Sequence, residues 1–142
     1  MWRTYSRKAQ AGLTLFELLV VLAILAFLAG IVAPRVIGYL GRAKSDVAES
    51  QAANISASLE LFFLDLGRYP TSDEGLAALV DAPQDLAGWR GPYLKDPSGL
   101  IDPWGRPYVY EVEVDTEQAS VRSLGRDGAP GGDGEDRDIE KR

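Results

Sequence analysis

The chain of 142 residues contains no cysteine and no histidine. Without cysteine there is no disulfide, no thiolate nucleophile and no soft metal ligand. Without histidine the usual general base near neutral pH and the commonest metal ligand are both missing. No catalytic residue set emerges from what remains, and the chain reads as a non-enzyme. Any bound metal must be a hard cation held by oxygen. Basic residues are also short: 15 Lys and Arg stand against 21 Asp and Glu, a net charge of −6. No cluster of Lys and Arg with interleaved aromatics is present, which excludes nucleic acid as a partner.

What is present is distributed unevenly. The composition is 46% hydrophobic and 25% charged, close to a folded-protein average, yet residues 18–33 hold no charge at all. From Asp65 onward the chain is polar and rich in Gly, Pro and Asp. Residues 1–12 are short and basic, with Arg3, Arg7 and Lys8 and no acid. The apolar run that follows is too long for the 7–15-residue core of about that size in a cleaved secretory signal. It matches the roughly 20 residues of a transmembrane helix, with Glu17 as its one ionisable group. A carboxylate at the centre of such a helix costs roughly 2.5–3.5 kcal/mol. The plain reading is that Glu17, near one end, reaches back to the lipid headgroups.

The segment Ala11-Gly12-Leu13-Thr14-Leu15-Phe16-Glu17-Leu18-Leu19-Val20-Val21 resembles the N-terminal signature of type IV pilins and pseudopilins. The resemblance implies that residues 1–12 are a leader removed by a prepilin peptidase, which cuts between Gly12 and Leu13. Leu13 then becomes the N-methylated terminus, standing where the family usually has Phe. Glu17 becomes the fifth residue of the mature chain. Its carboxylate can pair with the terminal amine of a neighbouring copy, and a paired buried charge can fix register where an unpaired one is expensive.

Residues 13–35 form the hydrophobic membrane and filament-core helix, and residues 36–66 its amphipathic continuation. Pro34, flanked by Gly30 and Gly38, removes a helical hydrogen bond. A kink or a locally melted turn is expected there, either as a plain proline kink or as a soft spot that lets the helix stretch during assembly. Beyond it Val47, Gln51, Ile55, Leu59, Phe62 and Leu66 recur at spacings of three and four, predicting a core-facing stripe. Ala43, Ala48 and Ala52 keep the helix slim, and Lys44, Asp46, Glu49 and Glu60 mark its wet face. Gly67 stops the helix.

Residues 67–142 make the C-terminal domain. Thr71 and Glu74 form a capping box ahead of a short helix through Leu76, Leu79 and Val80. Trp89 and Trp104 anchor loops on the core, a packing role preferred over ligand stacking. Residues 108–114 alternate and favour a strand, residues 115–118 a turn, and residues 119–124 a returning strand. A short third strand is expected near Tyr93 and Leu94. The fold class is α+β: a long N-terminal helix packed on a small antiparallel sheet.

Two segments sharpen the resemblance. Tyr69-Pro70-Thr71-Ser72-Asp73-Glu74-Gly75-Leu76-Ala77-Ala78-Leu79 and Asp102-Pro103-Trp104-Gly105-Arg106-Pro107-Tyr108 are similar to segments of the major pseudopilins of the type II secretion system, with Arg106 in place of the common Asn. Residues 124–139 gather Asp127, Asp133, Glu135, Asp136 and Asp138 among glycines. The spacing is not that of an EF-hand, and by composition alone an unstructured acidic tail accounts for it equally well. The resemblance implies a structural calcium loop, with Asp127, Asp136, Asp138 and Asp133 and the carbonyls of Leu124 and Ala129 as ligands. Glu135 is a further candidate.

The resemblance therefore implies the main subunit of a periplasmic pseudopilus that drives folded proteins across the outer membrane. Its partners are other copies in a helical homo-filament, the prepilin peptidase and methylase, minor pseudopilins, an inner-membrane assembly platform and membrane lipid. The chain is expected as a single-pass inner-membrane protein with a periplasmic C-terminal domain. The alternatives are a surface type IV or competence pilin, many of which close a loop with a disulfide that this chain lacks, and a single-span membrane sensor that keeps residues 1–12.

Overall fold

A computed structural model describes residues 14–84, 86–113 and 118–142. The first element is a helix, α1, over Leu15–Leu66. Three strands follow, β1 (Val109–Glu113), β2 (Gln118–Ser123) and β3 (Ile139–Lys141). They form one antiparallel sheet in the order β1-β2-β3. Single 3-10 turns lie at Leu76–Leu79, Pro97–Leu100 and Gly134–Asp136. The chain divides into two compact parts, one ending at Gly38 and the other running from Tyr39 to Arg142.

In the first part every large apolar side chain from residue 15 to residue 37 is exposed. A buried Leu or Phe is worth about 1.5–3 kcal/mol relative to an exposed one, so this stretch requires lipid or protein around it. It belongs to the one helix among the described residues that is long and apolar enough to cross a membrane. The helix continues through Pro34 without a break, so of the two outcomes expected there, a kink or a melted turn, the melted turn is absent. Proline removes only its own N–H, and the remaining bonds of the ladder persist.

In the second part the core lies between α1 and the inner face of the sheet. Ala52, Ile55, Leu59 and Phe62 of α1 meet Tyr108, Ala119 and Val121, with Leu76 and Leu79 closing one side. The predicted stripe is right at Ile55, Leu59 and Phe62 and wrong at Val47, which is 50% exposed; Ala48 and Ala52 are fully buried instead. Small residues there let a bulky aromatic approach the helix backbone. The buried Tyr108 hydroxyl donates to the Ala48 carbonyl at 3.0 Å and lies 3.1 Å from Gln51 Oε1. Burial pushes its pKa up, so it remains a neutral donor.

Residues 93 and 94 do not form the expected strand. Their two N–H groups both donate to the Leu79 carbonyl, at 2.8 and 3.0 Å, which uses the donors a ladder would need. The third strand is β3 instead. The helix expected after Thr71 is a single 3-10 turn, entered through Gly75 at φ 55°. Trp89 anchors its loop as expected, donating Nε1–H to the Ala78 carbonyl at 2.9 Å. Trp104 is half-buried and its Nε1 finds no acceptor, so it is not tied down in the same way.

Candidate functional site

Two places carry the residues singled out by sequence. The first is the start of α1. Gly12 and Leu13, the expected cleavage and methylation positions, lie outside the described residues. Glu17 occupies the first turn, and its backbone N–H donates to Thr14 Oγ1 at 3.1 Å. Thr14 therefore caps the helix and Glu17 sits three residues on, the spacing of a capping box. An acid in this turn also meets the positive end of the helix dipole. The spacing Thr14-x-x-Glu17 is legible in the sequence. Glu17 is exposed and available to a partner of opposite charge.

The second place is the loop of residues 124–139 between β2 and β3. Its root is built by the motif at residues 102–108. Asp102 is buried and closes a turn by accepting at Oδ1 from the N–H groups of Trp104 (3.0 Å) and Arg106 (2.8 Å). Its Oδ2 accepts from the Ser123 hydroxyl at 2.7 Å, tying that turn to the end of β2. Arg106, thus positioned, donates to the carbonyls of Gly125 and Arg126, both at 2.6 Å. Gly125 has φ 66°, and a Cβ there would stand 2.8 Å from the Asp136 carbonyl; the two ends of the loop cross where only glycine fits.

The expected calcium ligands are brought into one loop but not onto one point. Asp136 is held by Arg126 through two hydrogen bonds of 2.9 Å. The neighbouring carboxylates raise the Arg126 pKa, chiefly Asp136 through these bonds. Asp127 accepts at Oδ1 from the Ala129 N–H at 3.1 Å, closing its own turn. Asp133 and Ala129 are exposed and Leu124 is half-buried. Glu135 folds back across Gly41 of α1, where a Cβ would collide with its side chain. Among the described residues no three acidic side chains form a metal-binding group. One observation fits an oxygen-seeking cation: Asp138 Oδ1 is buried and has no hydrogen-bond donor. A buried carboxylate oxygen without a partner is costly, and a hard cation satisfies it.

Sequence reasoning missed Arg126 as the internal partner of Asp136 and Gly41 as the seat of Glu135. Neither has a local sequence signal, since each depends on a residue brought in by the fold.

Comparison with known proteins bears on both places. The family described as Type II secretion system (T2SS), protein G matches residues 35–142. The prokaryotic N-terminal methylation motif matches residues 7–33. The type II secretion system core protein G of Xanthomonas campestris pv. campestris is 39% identical over 137 residues, covering 96% of this chain and 93% of that protein. The protein of that name from Pseudomonas aeruginosa is also 39% identical, covering 94% and 95%. The crystal structure of the major pseudopilin from the type 2 secretion system of enterohaemorrhagic Escherichia coli superposes with a TM-score of 0.57 at 28% identity, over 73% of this chain and 90% of that one.

Proposed function

The chain belongs to the type II secretion system protein G family, and from that premise we propose how this subunit works as the main structural component of the secretion pseudopilus. The family is one of structural subunits, so the work of the chain is assembly and not catalysis. The observation that carries the reading is the exposed apolar half of α1. It is stable in an inner membrane before assembly and among other copies of itself afterwards. Extraction by an assembly platform exchanges one apolar surrounding for the other. The part from Tyr39 to Arg142 stays in the periplasm.

Processing follows from the methylation motif over residues 7–33. A prepilin peptidase cuts between Gly12 and Leu13 and leaves Leu13 to be methylated. The new amine pairs with Glu17 of a neighbouring copy, whose charge is otherwise uncompensated among apolar side chains. Pro34 is where the helix adapts on passing from lipid to filament. The intact mass of chain extracted from membranes tests this. A species beginning at methylated Leu13 is expected, and an intact Met1 terminus overturns it.

Calcium is the proposed structural ion of the loop. Asp138 and Asp127 would hold it, with Asp133 and the carbonyls of Leu124 and Ala129; Asp136 joins them only on leaving Arg126. The ion would neutralise the loop's mutual carboxylate repulsion and satisfy the lone oxygen of Asp138. Thermal unfolding of the full chain with calcium and with chelator tests it: a higher midpoint with calcium is expected, lost in Asp138→Ala. Equal midpoints overturn it.

A further inference from the structure

We propose that Arg126 is a built-in competitor for calcium: its guanidinium holds the Asp136 carboxylate as an internal cation, and the arginine and a bound calcium ion take that carboxylate in turn, never together. The competition rests on the calcium reading and adds to it the group that regulates loading. Residues 124–139 contain five acids, Asp127, Asp133, Glu135, Asp136 and Asp138, against two arginines, Arg126 and Arg137. The two arginines are used differently. Arg126 Nε and Nη2 donate to the two oxygens of Asp136, each at 2.9 Å. Its Nη1 stands 3.9 Å from Glu135 Oε2. Arg137 is exposed and makes no ion pair among the described residues.

The fork stands where the ion would. A guanidinium that bonds both oxygens of a carboxylate lies in the plane of that group, in front of the gap between them. A calcium ion held by both oxygens takes the same place, at about 2.3–2.6 Å from each. A contact through one oxygen alone does not avoid the conflict. It sets a double positive charge beside a guanidinium, at a separation where like charges repel strongly.

The group free to move is the arginine side chain. The backbone of Asp136 is pinned between two glycines: a Cβ on Gly125 or Gly132 would stand 2.8 or 2.5 Å from the Asp136 carbonyl oxygen. The Asp136 N–H donates to the Asp133 carbonyl at 3.1 Å. The backbone of Arg126 is fixed as well. Its N–H donates to the Glu135 carbonyl at 2.8 Å, and its own carbonyl accepts from Arg106 at 2.6 Å. Beyond that backbone the Arg126 side chain is 57% exposed, so it can swing into water without uncovering the core. Asp136 is 29% exposed and stays where its backbone is held. The arginine therefore keeps the two ends of the loop together where calcium is scarce. Displacing it sets how much calcium the loop needs before it loads.

Calcium titration calorimetry on the full chain in detergent tests the competition. Arg126→Ala should bind calcium about fivefold more tightly than the unaltered chain, the factor for a well-formed ion pair that solvent reaches. Arg137→Ala removes the same charge without freeing a carboxylate, and should change the affinity by less than about twofold. A second readout needs no substitution. The Nε–H of Arg126 in the unaltered chain, followed by nitrogen-15 NMR, should exchange with water faster once calcium is saturating. Equal or weaker binding by Arg126→Ala overturns the competition. So does an equal gain in Arg137→Ala, or an Arg126 Nε–H whose exchange is unchanged at saturation. Each of these leaves the calcium reading standing. If neither the unaltered chain nor either variant binds calcium, the calcium reading fails and the competition with it.

Discussion

At the scale of single residues, the best-defined electrostatic feature is the fork between Arg68 and Glu74, with contacts of 2.7 and 2.8 Å. Glu74 also accepts from the Thr71 N–H, and Thr71 Oγ1 accepts from the Glu74 N–H. These reciprocal bonds are the capping box that the sequence announces. Arg68 first, then Thr71, hold the Glu74 pKa down at about 2, against an ordinary 4.5. A carboxylate with a depressed folded pKa stabilises the fold above its unfolded pKa and loses that contribution as pH falls through the folded value. Because both partners reach solvent, the contribution is about 1 kcal/mol. Glu74→Gln is therefore expected to cost about that much at pH 7, with the difference from wild type vanishing between pH 4.5 and about 2. Urea titrations across that range measure it. Gly41 behaves oppositely in legibility. Nothing near it in sequence requires glycine, because the obstacle to a Cβ is Glu135, delivered by the far end of the chain. Gly41→Ala should improve helix propensity by roughly 0.5–1 kcal/mol and still destabilise the loop. Faster amide exchange confined to residues 124–139 is the expected signature.

At the scale of elements, α1 was legible as a helix because its periodicity is strong, and its core-facing stripe was legible at Ile55, Leu59 and Phe62 but not at Val47. Both Val47 and Ala48 fall on apolar stripes, and periodicity cannot rank two of them. The choice is made by Tyr108, whose hydroxyl needs the Ala48 carbonyl and so needs a small side chain in front of it. Ile55→Ala should accordingly cost about 2–5 kcal/mol by leaving a cavity. Val47→Ala should change stability by no more than about 0.5 kcal/mol in detergent-solubilised monomer. Urea unfolding of the pair separates the two faces. The two longer strands were readable from alternation. β3 was not, because three residues at the end of an acidic, glycine-rich tail carry no strand signal. Its place comes from pairing, with Ser123 opposite Ile139.

At the scale of the whole molecule, the uneven distribution of apolar residues was the most legible fact, and it decides what the chain is for. A protein that keeps residues 15–37 uncovered has stability that depends on its surroundings. Glu17→Ala removes the one charge from the start of that stretch. Chain carrying it should still fractionate with membranes, because the apolar length is unchanged. Filament recovery should fall at least about tenfold if the pairing contributes 1.4 kcal/mol or more per contact. Membrane fractionation and filament shearing from one culture give both readouts. The loop was legible as acidic and glycine-rich, but its internal arginine partner was not, since Arg126 and Asp136 are brought together only by the path of the folded loop.

The seating of Tyr108 on α1 has a mechanical side. Its hydroxyl is fastened to the helix backbone at Ala48, and Ser58 Oγ on the same helix donates to the Tyr93 carbonyl at 3.1 Å. Lys141 of β3 adds a third tie, to Glu49 at 2.8 Å. The ties at Ala48 and Glu49 lie at one level of the rod and the tie at Ser58 about 15 Å further along it, so two levels of the helix are fastened to the rest of the part from Tyr39 to Arg142. A torque applied to the outer surface of the sheet is delivered to the helix with little slack, as a key blade turns with its bow.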